Sequence, residues 1–229
     1  MPKLLVTQHG VLSDNQRLIA FAHECRAAIP NLATDTPTYG NVFPSRLAIG
    51  RYVRDLIART TQLYLETIPG RYPGYDVTVA CHSFGTFAVG GALKLHVPNL
   101  VFQNVALFGS ILPEDFEWGG YLRGGIIEGQ IVNFVRPLDW PVSVSRIVGG
   151  GFSGNKGFSG QGVCNLFKNG GHGSFYPADI VDVRRLIDGT FVCTGDTYYR
   201  AWAQRRGLST KIAVACLAGA RQLVRAPFV

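Results

Sequence analysis

Residues 76–88 read DVTVACHSFGTFA, and this stretch decides the fold. Its first half is apolar and rich in β-branched residues, which predicts a buried strand, and its second half predicts a helix. The change falls at Ser83, on a sharp strand-to-helix turn. Such a turn exposes the serine hydroxyl above the sheet, where the first N–H groups of the helix also point. We interpret Ser83 as a candidate nucleophile, and the alternative is a serine that only caps the helix.

The residues around Ser83 follow the pattern G-x-S-x-G with one departure. Gly85 occupies the last position, but Cys81 stands where the first glycine would be. That position has to be small because strand and helix cross closely there, and cysteine is small enough. A serine hydroxyl is inert until a base takes its proton, so the interpretation depends on suitable partners elsewhere in the chain.

Three further segments supply candidate partners in a suitable chain order. Residues 4–11 predict a short apolar strand that ends in a His-Gly pair, upstream of the serine. Downstream, residues 130–140 predict a strand followed by Asp139. Residues 163–174 predict another strand, followed by His172 on a glycine-flanked loop.

With these four features in this order, the chain resembles the α/β-hydrolase superfamily. Within that superfamily it is similar to the small lipase- and esterase-like members, and the resemblance covers roughly residues 3–190. It implies an α/β fold with a mainly parallel sheet, helices on both faces, and the first strands of the full fold missing. The alternation of predicted strands and helices along the chain favours the same architecture.

The resemblance also implies a role for each candidate residue. Ser83 would be the nucleophile, His172 the base, and Asp139 the acid that orients the imidazole. The backbone N–H groups of Val11 and Phe84 would form the oxyanion hole. No metal or organic cofactor is expected in such a site.

Each of these assignments has an alternative. Asp139 could be only a turn-forming residue, and Glu114 and Asp115, one strand earlier, are rival acids, although we favour Asp139. His172 could be a histidine of a surface loop. It is preferred because the other four histidines lie in helical patterns, beside the serine, or in the upstream His-Gly pair.

The implied activity is hydrolysis of carboxylic esters through an acyl-enzyme, with a small-molecule or lipid ester as substrate. A non-catalytic binding protein of the same fold is one alternative, and an acyltransferase or thioesterase with the same triad is another. Several aromatic residues in the loops either line an acyl pocket or pack the core; they are Trp118, Tyr121, Trp140, Phe152 and Phe158.

Periodicity and capping residues predict the remaining elements. We expect helices near residues 16–28, 45–67, 84–96 and 178–187. Residues 30–44 and 110–129 read as loops. Residues 149–162, with the near-repeat GFSG, read as a flexible loop.

The composition is that of one ordinary globular domain. The chain has 229 residues, of which 47% are hydrophobic and 16% charged, and we assign residues 1–195 to the catalytic domain. Its five cysteines show no C-x-x-C and no zinc-ligand spacing, so we expect reduced thiols. With no signal-peptide pattern before the first strand, we expect a cytoplasmic protein.

The basic charge is concentrated at the C-terminal end. Residues 196–229 contain six basic residues and one acid, and so carry +5 of the net +7. We predict a basic helical extension packed on the same domain. Residues 211–225 combine an apolar stretch with basic ends, so peripheral membrane contact is the alternative. No nucleic-acid-binding motif accompanies this charge, and nucleic acid is not an expected partner.

Overall fold

The computed structural model describes residues 1–10, 15–37, 51–145, 150–172 and 175–193. In these ranges six strands alternate with helices along the chain. The strands are β1 Lys3–Gln8, β2 Leu32–Asp35, β3 Asp76–His82, β4 Phe102–Phe108, β5 Ile131–Val135 and β6 Val163–Phe167. The helices are α1 Asn15–Ala28, α2 Arg51–Glu66, α3 Ile68–Arg71, α4 Phe84–Lys94, α5 Trp118–Arg123, α6 Trp140–Val144, α7 Ser153–Lys156 and α8 Phe175–Asp188.

The six strands form one sheet in the order β2-β1-β3-β4-β5-β6, and every pair is parallel. The chain moves from β1 outward to β2, then returns to the other side of β1 and adds β3 to β6 in sequence. The loops after β1 and β3 therefore leave the sheet in opposite directions. In open parallel sheets, ligands bind in the crevice at such a switch point, beyond the carboxyl ends of the strands. Ser83 directly follows β3 and lies at this crevice.

Side chains that alternate along the strands form a hydrophobic core on each face of the sheet. On β3, Val77, Val79 and Cys81 pack with residues of α2 and α4, whereas Ala80 packs with residues of α1 and α8. Both faces are covered, which explains why the central strands β1, β3, β4 and β5 are buried at nearly every position. The fold prediction is confirmed: a parallel sheet flanked by helices on both faces.

The loop prediction for residues 30–44 missed β2, which occupies Leu32–Asp35. Only Leu32 of this strand is buried, because β2 is an edge strand with one neighbour. Such a strand lacks the apolar run of the central ones, and its Thr, Asp and Pro neighbours resemble turn residues. Within residues 110–129, the structure likewise adds the short helix α5.

Residues 150–162 are more ordered in structure than the predicted flexible loop. They contain α7, and Ser153 and Phe158 are almost fully buried. Gly154 leaves no space for a side chain, since a Cβ there would lie 2.5 Å from the Ser110 nitrogen. The prediction of a flexible loop was therefore wrong for these residues, because tertiary contacts fix a segment whose glycine content alone suggests freedom.

The expectation that all five cysteines are reduced is also wrong. Cys164 on β6 and Cys193, after α8, form a disulfide with a Cα–Cα distance of 5.9 Å. Cys25 and Cys81 are free and buried, and burial raises the pKa of both thiols. A buried thiol with a raised pKa stays protonated and is a poor nucleophile.

The predicted extension at residues 196–229 lies outside the described residues, so its helical structure and its membrane contact remain predictions. Across the described part of the chain, none of the helices is both long enough and apolar enough to cross a lipid bilayer.

Candidate functional site

Ser83 lies on the turn between β3 and α4 in a strained conformation. Its φ of 53° and ψ of −122° fall in a region that residues with a side chain seldom adopt. The Ser83 N–H donates to the Phe108 carbonyl at 2.9 Å, and the Thr86 hydroxyl donates to the Ser83 carbonyl at 2.7 Å. The surrounding structure thus imposes the conformation, and backbone strain of this kind concentrates at functional sites.

Two glycines allow the turn to approach the end of β1. A Cβ on Gly85 would lie 2.2 Å from the Gln8 carbonyl oxygen, which no backbone tolerates without shifting. A Cβ on Gly10 would lie 3.1 Å from the Ser83 Cβ and 3.2 Å from the Phe84 nitrogen. The last position of the G-x-S-x-G pattern therefore has a steric cause, which is the contact between α4 and the end of β1.

The first N–H of α4, that of Phe84, lies beside this contact. The first four N–H groups of a helix have no acceptor within it and can bind an anion. The neighbouring His9 is buried, and its Nδ1 lies 2.7 Å from the Gly10 carbonyl oxygen, to which it donates. Burial lowers the pKa of His9. Val11, the second expected oxyanion donor, lies outside the described residues, so its role stays a prediction.

Asp139 and His172 form a hydrogen-bonded pair beyond the ends of β5 and β6. His172 Nδ1 lies 2.9 Å from both carboxylate oxygens of Asp139. A carboxylate can only accept, so Nδ1 carries the proton and Nε2 of the neutral ring is left as the basic nitrogen. The Asp139 side chain is 1% exposed, whereas His172 is partly exposed at 22%.

Backbone and side-chain donors fix the position of Asp139. The Val142 N–H donates to Asp139 Oδ1 at 3.3 Å, as expected of a residue that caps α6. The Asn155 amide donates to the Asp139 carbonyl oxygen at 2.9 Å and to the Ser143 hydroxyl at 3.0 Å. These bonds tie the acid to α7, in the segment that we expected to be flexible.

The three candidate acids lie in different surroundings. Asp139 contacts His172. Asp115 is exposed, and Glu114 lies beside the backbone of Phe152. The role of Asp139 as the orienting acid stays a prediction.

Gly109 and His82 connect the acid–base pair to the serine turn. A Cβ on Gly109, the residue after β4, would lie 3.0 Å from the His172 ring and 3.1 Å from Asp139 Oδ2. The His82 ring is centred 4.6 Å from the His172 ring, and His82 immediately precedes Ser83. The acid–base pair thus lies against His82, which precedes the serine, and against Gly109, which follows β4.

Sequence reasoning missed the contribution of His82 and of Gly109. From the sequence, His82 was only set aside as a candidate base, because it lies beside the serine. In the structure it is the last residue of β3, and its ring contacts the loop with His172. For Gly109, a possible signal was a glycine at the carboxyl end of a predicted central strand; its φ is 52°.

The aromatic residues of the loops divide between core and surface. Trp118 and Phe158 are nearly fully buried in the core, and Tyr121 packs against them. Trp140 is 61% exposed, and Lys156 lies over the ring of Phe152, 5.2 Å from its centroid. For Trp118 and Phe158, packing of the core is the correct reading.

Comparison with known proteins gives structural matches only. No family model and no curated protein matches the sequence. Among solved structures, esterase PE8 has a TM-score of 0.56 at 16% identity, over 83% of this chain and 93% of that one. TT1662 from Thermus thermophilus has a TM-score of 0.55 at 14% identity, over 82% of this chain and 88% of that one. A cold-adapted esterase from an Arctic intertidal metagenomic library has a TM-score of 0.50 at 11% identity, over 82% of this chain and 80% of that one.

At these identities the likeness concerns the fold. The all-parallel strand order, the helices on both faces and the serine turn after β3 agree with it. The chain therefore adopts the α/β-hydrolase fold, in a form without the first strands of the full fold.

Proposed function

We propose that this chain is a serine hydrolase that cleaves carboxylic esters, with Ser83 as nucleophile, His172 as base and Asp139 as the orienting acid. The observation that carries the proposal is the Asp139–His172 hydrogen bond, formed against the turn that holds Ser83 at positive φ. Two of the structural neighbours are named as esterases, which supports the same reaction class.

The mechanism follows from the protonation of this pair. With the Nδ1 proton directed at Asp139, His172 Nε2 is available to take the proton of Ser83 as its oxygen attacks the ester carbonyl. The negative charge that develops on the carbonyl oxygen is stabilised by the Phe84 N–H and the dipole of α4, together with Val11 as the second donor. His172 then protonates the leaving alcohol, which leaves an acyl group on Ser83.

Deacylation repeats the same steps with water. His172 takes a proton from the water, which attacks the acyl carbonyl, and returns it to Ser83 as the acid leaves. Asp139 keeps the imidazole in the productive tautomer and stabilises its charged form. Burial of Asp139 serves this role, since an ionised acceptor acts most strongly away from solvent.

Steady-state hydrolysis of p-nitrophenyl esters of increasing chain length tests the proposal. We expect Ser83→Ala, His172→Ala and Asp139→Asn each to lower kcat by on the order of 10³-fold or more. Asp115→Asn and Glu114→Gln are matched controls, because they make the same chemical change in the rival acids, and both should retain wild-type kcat. A wild-type enzyme without ester turnover, or an Asp139→Asn variant as active as Asp115→Asn, would refute the proposal.

A further inference from the structure

His82 is a buried titratable residue that the proposed mechanism does not use. It is the last residue of β3, directly before Ser83, and is 3% exposed. A polar ring is seldom buried without hydrogen bonds, and a buried histidine beside a serine turn is costly unless its contacts contribute to the structure. The contacts of the His82 ring described below lie on the side that faces the loop with His172.

The ring of His82 contacts the loop with His172 in two ways. Its Nε2 lies 3.2 Å from the backbone carbonyl oxygen of His172. Because a carbonyl oxygen only accepts, Nε2 carries the proton and donates it. The two imidazole rings also pack together, with centroids 4.6 Å apart and planes inclined at 44°.

The protonation state of His82 suits a fixed donor. Burial, followed by the nearby charge of His172, lowers the pKa of His82 to about 3. His82 is therefore neutral at neutral pH, and its Nε2 keeps its proton during the whole reaction. It adds no positive charge beside His172 and does not compete with it for the serine proton.

The loop with His172 begins at the end of β6. There the Lys168 N–H donates to the carbonyl oxygen of Val135, the last residue of β5. Gly170, with a φ of 114°, and Gly171 follow in a stretch without regular structure. Asp139 contacts the ring of His172, and the bond from His82 to the His172 carbonyl adds a contact to its backbone.

We propose that His82 is a positioning residue that fixes the backbone of His172 relative to Ser83. Because His82 and Ser83 are consecutive, this one hydrogen bond holds the backbone of His172 at a fixed distance from the serine turn. This inference rests on the proposed function, because positioning matters only if His172 acts on Ser83. Displacement of a catalytic group by about 1 Å lowers the rate about 100-fold.

Three variants of His82 separate positioning from packing. In His82→Gln the amide nitrogen reaches about the place of Nε2, whereas in His82→Asn it reaches only the place of Nδ1. His82→Leu fills similar space without a donor. Gln and Asn both remove the ring and keep an amide, so they form a matched pair with similar costs in packing.

We expect the kinetic effect to fall on kcat. His82→Leu and His82→Asn should lower kcat about 10- to 100-fold with KM within about twofold of wild type, and His82→Gln should recover kcat to within about threefold. A purely structural role would lower the melting temperature of Gln and Asn alike and would not separate their kcat values. Equal kcat in Gln and Asn, or wild-type kcat in Leu, would overturn the inference.

A second measurement does not depend on activity. The ¹⁵N and ¹³C signals of the His172 imidazole, recorded by NMR on the same variants, report its tautomer and its mobility. We expect one sharp Nδ1-protonated form in wild type and in Gln, and broadened or averaged signals in Leu. If wild type shows this pattern but hydrolyses no ester, the proposed function fails and the contact still stands; unchanged His172 signals in Leu would refute the contact itself.

Discussion

The serine turn and the acid–base pair meet at the same edge of the sheet, but different interactions hold them there. The turn is built from neighbours in sequence, with Ser83 between β3 and α4 and a hydrogen bond from Thr86 three residues later. The pair joins Asp139 and His172, which are 33 residues apart and lie on loops of two different strands. One half of the site is therefore local and the other depends on tertiary structure.

Buried polar groups hold the acid–base half in place. Arg136 and Asp179 are almost fully buried and form an ion pair, which links the segment just before Asp139 to the helix just after His172. A second set of hydrogen bonds joins the segment after β4 to the middle of β5 and β6 through α7; its members are Ser110, Asn133, Ser153 and Asn165. The serine half uses close backbone packing at Gly85 instead.

This difference determines what each half tolerates. A local turn fails when an added side chain forces strand and helix apart. A polar assembly fails when one member is removed and its partner stays buried without a counterpart. Substitutions can therefore damage the two halves separately.

The largest effect is expected at the Arg136–Asp179 ion pair. Arg136→Met or Asp179→Leu alone removes the main counter-ion of a buried charge and should lower the free energy of unfolding by about 3–5 kcal/mol. The double variant replaces both charges by apolar groups and should lose less than the two single losses together. Urea denaturation of the four proteins measures these differences, and strictly additive losses would contradict this account.

Gly85→Ala tests the serine half. The added Cβ would lie 2.2 Å from the Gln8 carbonyl oxygen, and neither atom can move away by a side-chain rotation. We expect a loss of about 3 kcal/mol, at the upper end for overpacking. Gly70→Ala in α3 is the control, because nothing lies within 4 Å of its Cβ. Equal melting temperatures for both variants would show that the contact between α4 and β1 is not tight.

Gly109→Ala tests the junction between the halves. Its Cβ would press on the His172 ring and the Asp139 carboxylate, so we expect kcat for ester hydrolysis to fall about tenfold or more. Gly125→Ala is the matched control: its φ of 68° gives similar backbone strain, but nothing lies within 4 Å of its Cβ. Both variants should lose similar stability, and only Gly109→Ala should lose activity. An equal fall in kcat for the two variants would contradict a specific contact between Gly109 and the acid–base pair.

The effect that is smallest at neutral pH is a dependence of stability on pH, because an unfolded histidine is also mainly neutral there. The pKa of His82 is about 3 in the folded state, so between about pH 3 and 6.5 the unfolded chain binds the proton that the folded chain excludes. Stability should fall with decreasing pH in this window, by about 1.4 kcal/mol per unit for one such group. Arg17 and Arg136 also disfavour the charged ring.

His82→Gln removes this group and should flatten the slope between pH 3 and 6.5. Some slope will remain because burial also lowers the pKa of His9. Urea denaturation at several pH values measures the difference between wild type and variant. Identical slopes would mean that His82 binds its proton in the same pH range in the folded and unfolded chain, which would contradict a pKa lowered by burial.

The features that could be predicted from the sequence divide in the same way, into local and long-range ones. The turn at Ser83, the central strands and the amphipathic helices are encoded over a few consecutive residues, so periodicity and turn chemistry were sufficient. The choice of Asp139 and His172 came from the order of segments in a resembling superfamily. Their hydrogen bond became visible only with the structure.

The missed features all depend on residues distant in sequence. β2 is recognised by its pairing with β1, and the Cys164–Cys193 disulfide by the return of the chain after α8 to the edge strand β6. The fixed conformation around α7 depends on buried polar partners after β4 and on β5 and β6, namely Ser110, Asn133 and Asn165. A pattern of glycines indicates that a segment can be flexible, but it does not show the tertiary contacts that fix the segment in place.

The most direct test of the central claim is intact-mass labelling with a fluorophosphonate, followed by peptide mapping, on wild type and Ser83→Ala. If the local turn and the long-range pair together activate one serine, wild type forms a single adduct that maps to Ser83. Ser83→Ala should then form none, and His172→Ala should be labelled slowly. An adduct on another residue, or no adduct on a folded wild-type protein, would contradict the central claim.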